Sequence, residues 1–413
     1  MTAFLLAVGT IYFAAVVGGE LVSKVQLPRV IGEMAAGLLL GNSLLGHVWP
    51  RAEQYLFGDG VLAILSPIGI FLVLLYVAVV GAELDKRVLE GRTNRLVVAA
   101  GAGLVVAFGG AGLLGWGLSD LEPGNVPRWA YYAFLTAAIL VTAVPVLARI
   151  LDETGLTSTR IGTVTLTVSV ADDFIAFSIV AIAIAAATKG NIALAITGTV
   201  LLGSLLLPRN LARGLRSRIR RMPTGRALSV AILALVAGGV NSLGASTLVA
   251  AFVIGALVWR PQRQGDVVPG SDLAKALVPL YIVYAGLPID VTHLVHPRLL
   301  VAIVLTTALA IGTKIVSCLI ASRILSLNRT ETWGLIVLRN TRGLTELVAL
   351  NLGYKAGILS QDLYTVFFAM ALLTTAAGGL VAMTVLRPLV LAEHWSRDRI
   401  RSSDAAPSAG IAG

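Results

Sequence analysis

The sequence predicts an all-α polytopic membrane protein of about thirteen transmembrane helices, arranged as an inverted repeat. Three observations carry that prediction: the composition, the placement of the basic residues, and a residue pattern that recurs seven helices later. Of 413 residues, 57% are hydrophobic and only 13% charged, whereas a soluble domain carries about 25% charged residues. Water is not the main solvent of such a chain.

A span needs about 20 apolar residues. Thirteen segments qualify: 3–22, 28–46, 61–82, 96–118, 129–150, 159–187, 190–208, 227–242, 244–259, 275–290, 298–323, 331–354 and 360–386. The first has no basic leader before it and is too long for a signal-peptide core, so it reads as a retained helix. The basic residues test the count, because cytoplasmic loops collect Lys and Arg. With the N-terminus outside, the inside segments hold 24 of the 32 basic residues, seven of them in the loop at 209–226. The outside segments hold five: Arg51, Arg128, Lys189, Arg298 and Lys355. A miscounted helix would invert every later loop, so this asymmetry supports thirteen spans with the C-terminus in the cytoplasm. It also gives the net charge of +10 a topological meaning, and no nucleic-acid partner is expected.

Leu75, Tyr76, Gly81 and Asp85, ending span 3, recur as Leu280, Tyr281, Gly286 and Asp290, ending span 10. Gly37 and Leu39 in span 2 echo Gly255 and Leu257 in span 9. A displacement of seven helices is odd, so the second copy runs through the membrane upside down. Spans 1–6 and 8–13 form the inverted repeat and span 7 connects them, an arrangement typical of secondary transporters.

The chemistry must come from charged groups at membrane depth, which are costly and need a reason. Cys318 is the only cysteine, which excludes a disulfide framework or cysteine metal site. His293 and His296 read as loop residues, and no cofactor is expected. Asp172 lies twelve residues beyond Arg160 in span 6, or about 18 Å at the helical rise, near the midplane. Asp173 follows, pointing about 100° away around the helix. Carboxylate oxygens suit hard cations such as Na⁺. Burial and a like-charged neighbour favour the protonated form of an acid, so protons compete with the metal for Asp172 and Asp173. The plainer reading is a hydrogen-bonded helix contact, which two adjacent acids make costly. Lys314 in span 11, at similar depth, is the expected counter-charge; the plainer reading is a lysine snorkelling to the interface.

Span 5 carries Thr142 and Pro145, and proline removes a backbone donor and disrupts the preceding turn. Span 12, its repeat partner, carries Arg339, Asn340, Thr341, Arg342 and Gly343, and then Glu346; with Lys314, Arg339 and Arg342 are the three basic residues inside spans. Two broken helices in corresponding places point to a binding site, although Pro145 alone could be a simple kink. Arg342 and Glu346, four apart, can pair along one face, or Arg342 can neutralise helix ends at the crossing. Glu33 and Glu20 lie towards the inside surface and read as interfacial or interface-domain residues.

Residues 142–151 (Thr-Ala-Val-Pro-Val-Leu-Ala-Arg-Ile-Leu), the Ala-Asp-Asp at 171–173 and the Asn-Thr-Arg-Gly-Leu-Thr-Glu-Leu-Val at 340–348 together resemble the monovalent cation:proton antiporters. The matching branch carries paired aspartates and includes bacterial Na⁺/H⁺ antiporters and Kef-type K⁺ efflux proteins. The resemblance implies a homodimer, with dimerisation helices in 1–95 and 227–297. It implies an ion-translocating core in 96–188 and 298–390, a linker helix and basic loop in 189–226, and a short cytoplasmic tail at 391–413. It implies that Asp173 binds the ion and that Asp172 pairs with Lys314. Kef proteins carry a large C-terminal nucleotide-binding domain, and this chain stops too soon to hold one.

The expected function is therefore electrogenic exchange of Na⁺ for protons across the cell membrane, with the lipid bilayer as surroundings. K⁺/H⁺ exchange or Kef-type K⁺ efflux is the alternative, and export of an organic cation remains open. An intramembrane aspartyl protease is the rival from another class, but such enzymes supply their acids from two helices. No enzymatic activity is expected.

Overall fold

The computed structural model describes residues 2–25, 27–83, 93–157, 159–193, 195–197, 247–255, 271–290, 297–386 and 388. Span 8, most of span 7, the ends of span 9, the basic segments at 84–92, 209–226 and 256–270, the two histidines at 293 and 296, and the tail from 391 lie outside the described residues.

Every regular element among the described residues is helical. α1 (Thr2–Ser23) and α2 (Arg29–Leu40) lead into two short helices, α3 (Leu45–Val48) and α4 (Pro50–Phe57), and then α5 (Asp59–Glu83). α6 (Thr93–Gly117), α7 (Arg128–Leu140), α8 (Val144–Thr154) and α9 (Arg160–Ala187) follow. The second half holds α10 (Thr247–Ile254), α11 (Ser271–Gly286), α12 (Pro297–Leu325), α13 (Arg329–Arg339), α14 (Leu344–Lys355) and α15 (Gln361–Val381). Six of the described helices are long and apolar enough to cross a membrane. Their outer faces carry large apolar side chains such as Phe13, Phe108 and Val304, as a lipid solvent permits.

Predicted span 2 is shorter than its apolar run suggests. α2 stops at Leu40 because the chain must turn to meet the end of α11. Asn42 N donates to Leu287 O at 3.1 Å and Ser43 Oγ to Ile289 O at 2.7 Å. A Cβ on Gly41 would collide with the Leu287 backbone. Pro50 then opens α4, where its missing N–H costs nothing.

Predicted spans 5 and 12 are each two helices: α7 and α8 are separated by residues 141–143, and α13 and α14 by residues 340–343. Pro145 is the second residue of α8, in the first turn, where its missing N–H costs nothing.

The helices pack as two groups. α1 lies on α2, α11 packs on α2 and α5, and α10 packs on α5. Separately, α6 packs on α12 and α7, α9 packs on α7 and α13, and α15 packs on α12 and α14. The groups meet where α11 touches α14 and α10 touches α9. In the first group the backbones approach closely through glycine: Gly37 on α2 meets Gly286 and Val283 on α11, and Gly255 at the end of α10 meets Ala78 on α5.

α13 begins with a capping box. Asn328 Oδ1 accepts from Glu331 N at 2.7 Å, and Asn328 N donates to Glu331 Oε2 at 2.9 Å. The other carboxylate oxygen of Glu331 reaches Arg160 on α9 at 3.0 Å. Asn328→Ala is expected to cost about 1 kcal/mol, read as a lower thermal midpoint of the detergent-purified protein. An unchanged midpoint would mean that packing alone holds this helix start.

Candidate functional site

The two helix breaks face each other in the second group, and Ala143 N donates to Thr341 O across them at 3.4 Å. A helix end buried in this way needs partners for its last carbonyls. Those of α7 are all answered. Val141 N reaches Ala137 O at 3.0 Å. Arg342, from the opposite break, donates to Ala138 O at 2.7 Å and Ile139 O at 3.1 Å. Lys314 Nζ, from α12, donates to Leu140 O at 2.5 Å. Two cations thus sit where the dipole of α7 is negative.

Arg342 also donates to Glu346 Oε1 at 2.8 Å, so it both pairs with its neighbour one turn on and caps the crossing helix. Its backbone is clamped by Thr375 on α15: Arg342 N donates to Thr375 Oγ1 at 2.8 Å, and Thr375 Oγ1 donates to Arg342 O at 2.7 Å. Asn340 Nδ2 and Thr341 Oγ1 turn back onto the end of α13, donating to Ile336 O at 2.8 Å and Leu338 O at 2.6 Å. Gly343 closes the break at φ +153, where side chains are disfavoured, and a Cβ there would meet Val146.

Asp172 and Asp173 enter from the middle of α9, both buried. Asp173 Oδ1 accepts from Thr142 N, a backbone donor freed by the first break, at 3.1 Å. Thr142 Oγ1 in turn accepts from Lys314 Nζ at 2.6 Å. Asp173 Oδ2 and Asp172 Oδ1 have no hydrogen-bond partner among the described residues. Six ionisable side chains, Asp172, Asp173, Glu346, Lys314, Arg339 and Arg342, lie together with none more than 2% exposed. Fully ionised, three acids and three bases balance.

The structure therefore brings together the predicted residues Thr142, Asp172, Asp173, Lys314, Asn340, Thr341, Arg342 and Glu346, with Pro145 in the adjoining helix start. The expected pairing of Asp172 with Lys314 is present, and a second base joins it. Lys314 Nζ lies 3.6 Å from Asp172 Oδ2, and the nearer partner of that oxygen is Arg339 Nη2. Arg339, at the last position of α13, has the planar fork that carboxylates fit, and its Nη1 also reaches Cys318 Sγ at 3.4 Å. Arg339 was readable as one of three basic residues inside spans, and each of those needs an acid. Glu33 is buried within α2, and Glu20 pairs with Arg29 at 2.7 Å.

Long apolar helices and buried charges gathered at two facing helix breaks define a polytopic membrane protein with a charged centre. The chain belongs to the transmembrane sodium/hydrogen exchanger family, whose model matches residues 11–387. It is 32% identical to the Na(+)/H(+) antiporter NhaS4 of Synechocystis over 86% of this chain and 90% of that protein. It is 26% identical to the K(+)/H(+) antiporter 1 of Saccharomyces cerevisiae, covering 93% of this chain but only 48% of that longer protein. Its fold matches the sodium proton antiporter MjNhaP1 of Methanocaldococcus jannaschii with a TM-score of 0.65, 14% identity, and coverage of 93% and 99% of the two chains.

Proposed function

We propose that the protein is a secondary antiporter exchanging a monovalent cation, Na⁺ first, for protons, with Asp173 as the carrier. One observation carries this reading: a carboxylate buried at a helix break, with one oxygen fixed by Thr142 N and the other without a partner among the described residues. A buried acceptor without a donor calls for a reason. A proton or a cation satisfies Asp173 Oδ2 equally well, and only one can occupy it at a time. Competition at one site is sufficient for exchange. Family membership and the antiporter relatives support the same reading.

The helix group containing both breaks is read as the moving core, and the group joined through Gly37 and Gly255 as the dimer-forming frame. The two glycine contacts support an inverted repeat: span 2 meets span 10, and span 9 meets span 3, each the counterpart of the other. The basic loops favour the N-terminus outside and the C-terminus in the cytoplasm.

The deciding experiment uses proteoliposomes carrying a trapped pH dye and tests Na⁺, K⁺ and an organic cation in turn. Na⁺ is expected to collapse the proton gradient most strongly. A response to K⁺ alone would transfer the reading to K⁺/H⁺ exchange, and silence to every inorganic cation would end it. The same liposomes, under a K⁺-valinomycin potential with Na⁺ as substrate, report stoichiometry. If Lys314 and Asp173 each release a proton as the cation arrives, one net charge moves per cycle, coupled to the potential at about 2.3 kcal/mol per ~100 mV. The exchange end point is then expected to shift with voltage in the wild type, and Lys314→Gln to remove the shift. An end point indifferent to voltage in the wild type would reduce the scheme to one proton.

A further inference from the structure

We propose that Arg339 is the counter-ion of Asp172 and a positioning residue for the ion site, which leaves Lys314 to act on Asp173 through Thr142. The inference rests on the antiport reading and adds a residue to it.

Asp172 and Lys314 sit 3.6 Å apart, a distance for attraction but not for a good hydrogen bond. The lysine's hydrogen bonds go elsewhere, to Leu140 O and Thr142 Oγ1. Arg339 instead donates to Asp172 Oδ2 directly. Both side chains are sealed from solvent, at 2% and 0% exposure, so a charge on Arg339 needs the carboxylate beside it. Arginine suits a standing partner because it does not lose its proton in proteins. Its second nitrogen is anchored on Cys318, one turn from Lys314 on the same face of α12. Arg339 thus links Asp172 on α9 to Cys318 on α12.

The result is a division of labour. Asp172 and Arg339 form a neutral pair that keeps the second carboxylate from adding its charge to the ion site. Lys314 is bonded to the hydroxyl of Thr142, and the backbone N–H of Thr142 is bonded to Asp173 Oδ1. A change at Asp173 reaches Lys314 through one residue, while Asp172 stays balanced.

The test measures initial exchange rate against cation concentration in proteoliposomes holding wild type, Arg339→Gln, Arg339→Lys or Arg339→Gln/Asp172→Asn. Wild-type exchange is established first, so failure of the antiport reading is seen separately. Arg339→Gln leaves Asp172 with an uncompensated charge beside the cation. Its KM for the cation is expected to fall at least about threefold while the maximal rate falls about tenfold, because a cation held more tightly leaves more slowly. Arg339→Lys, which keeps the charge, is expected to restore the wild-type KM. A purely structural arginine would lower the rate with KM unchanged or raised, and that result overturns the proposal. So does wild-type behaviour of Arg339→Gln, which would mean that Lys314 alone neutralises Asp172. If Arg339→Gln does not yield folded protein, the double variants decide. Recovery by Arg339→Gln/Asp172→Asn, but not by Arg339→Gln/Lys314→Gln, supports the pairing; equal failure of both overturns it.

Discussion

Asp173→Asn is expected to reduce cation-driven proton movement to the level of empty liposomes. The substitution keeps the side-chain volume, and its carbonyl oxygen can still accept from Thr142 N, so the helix break keeps its closure. What it removes is the full negative charge that holds a cation and the exchangeable proton that competes with it. The protein is therefore expected to remain monodisperse in detergent with a thermal midpoint near that of the wild type. That separates a lost carrier from a lost fold. Near-normal Na⁺- or K⁺-driven proton movement in this variant would take Asp173 out of the site.

The largest expected effect on stability lies at Arg342. Arg342→Ala strands Glu346 in a fully buried position and leaves Ala138 O and Ile139 O without their donor. Removing one member of a buried ion pair costs about 3–5 kcal/mol, because the remaining charge has no water to return to. Loss of most folded protein on extraction is the expected outcome. Arg342→Ala/Glu346→Ala is expected to recover part of it, since no charge is then stranded; the two carbonyls remain unanswered. A double variant as unstable as the single would show that the cost lies in the carbonyls and not in the pair.

The polar centre was legible in the sequence because charge stands out against an apolar background. Depth marks Asp172, Asp173 and Lys314, a spacing of four marks Arg342 and Glu346, and Pro145 and the polar run at 339–343 mark the breaks. Arg339 was assigned no partner for a related reason. It lies in that same polar run, and a cluster at a helix end does not say which arginine turns towards which acid. That is decided by the direction in which α13 approaches α9. The early end of α2 was invisible for the opposite reason. Predicted span 2 runs to residue 46 across Gly41, Asn42 and Ser43, and the turn there is fixed by Leu287 and Ile289, the latter 246 positions from Ser43. A local pattern cannot register a constraint from so far along the chain.

The capping of α7 from across the crossing has a consequence for biosynthesis. The carbonyl of Leu140 is answered by a residue 174 positions later, and those of Ala138 and Ile139 by one 204 and 203 positions later. At about 5–20 residues per second, α7 leaves the ribosome roughly 10–40 s before Arg342 is made. Over that interval its last turn sits in the bilayer with three acceptors lacking their native donors. The first half of the chain can insert but cannot complete its own polar centre. Completion waits for the second half, which supplies first Lys314 and then Arg342.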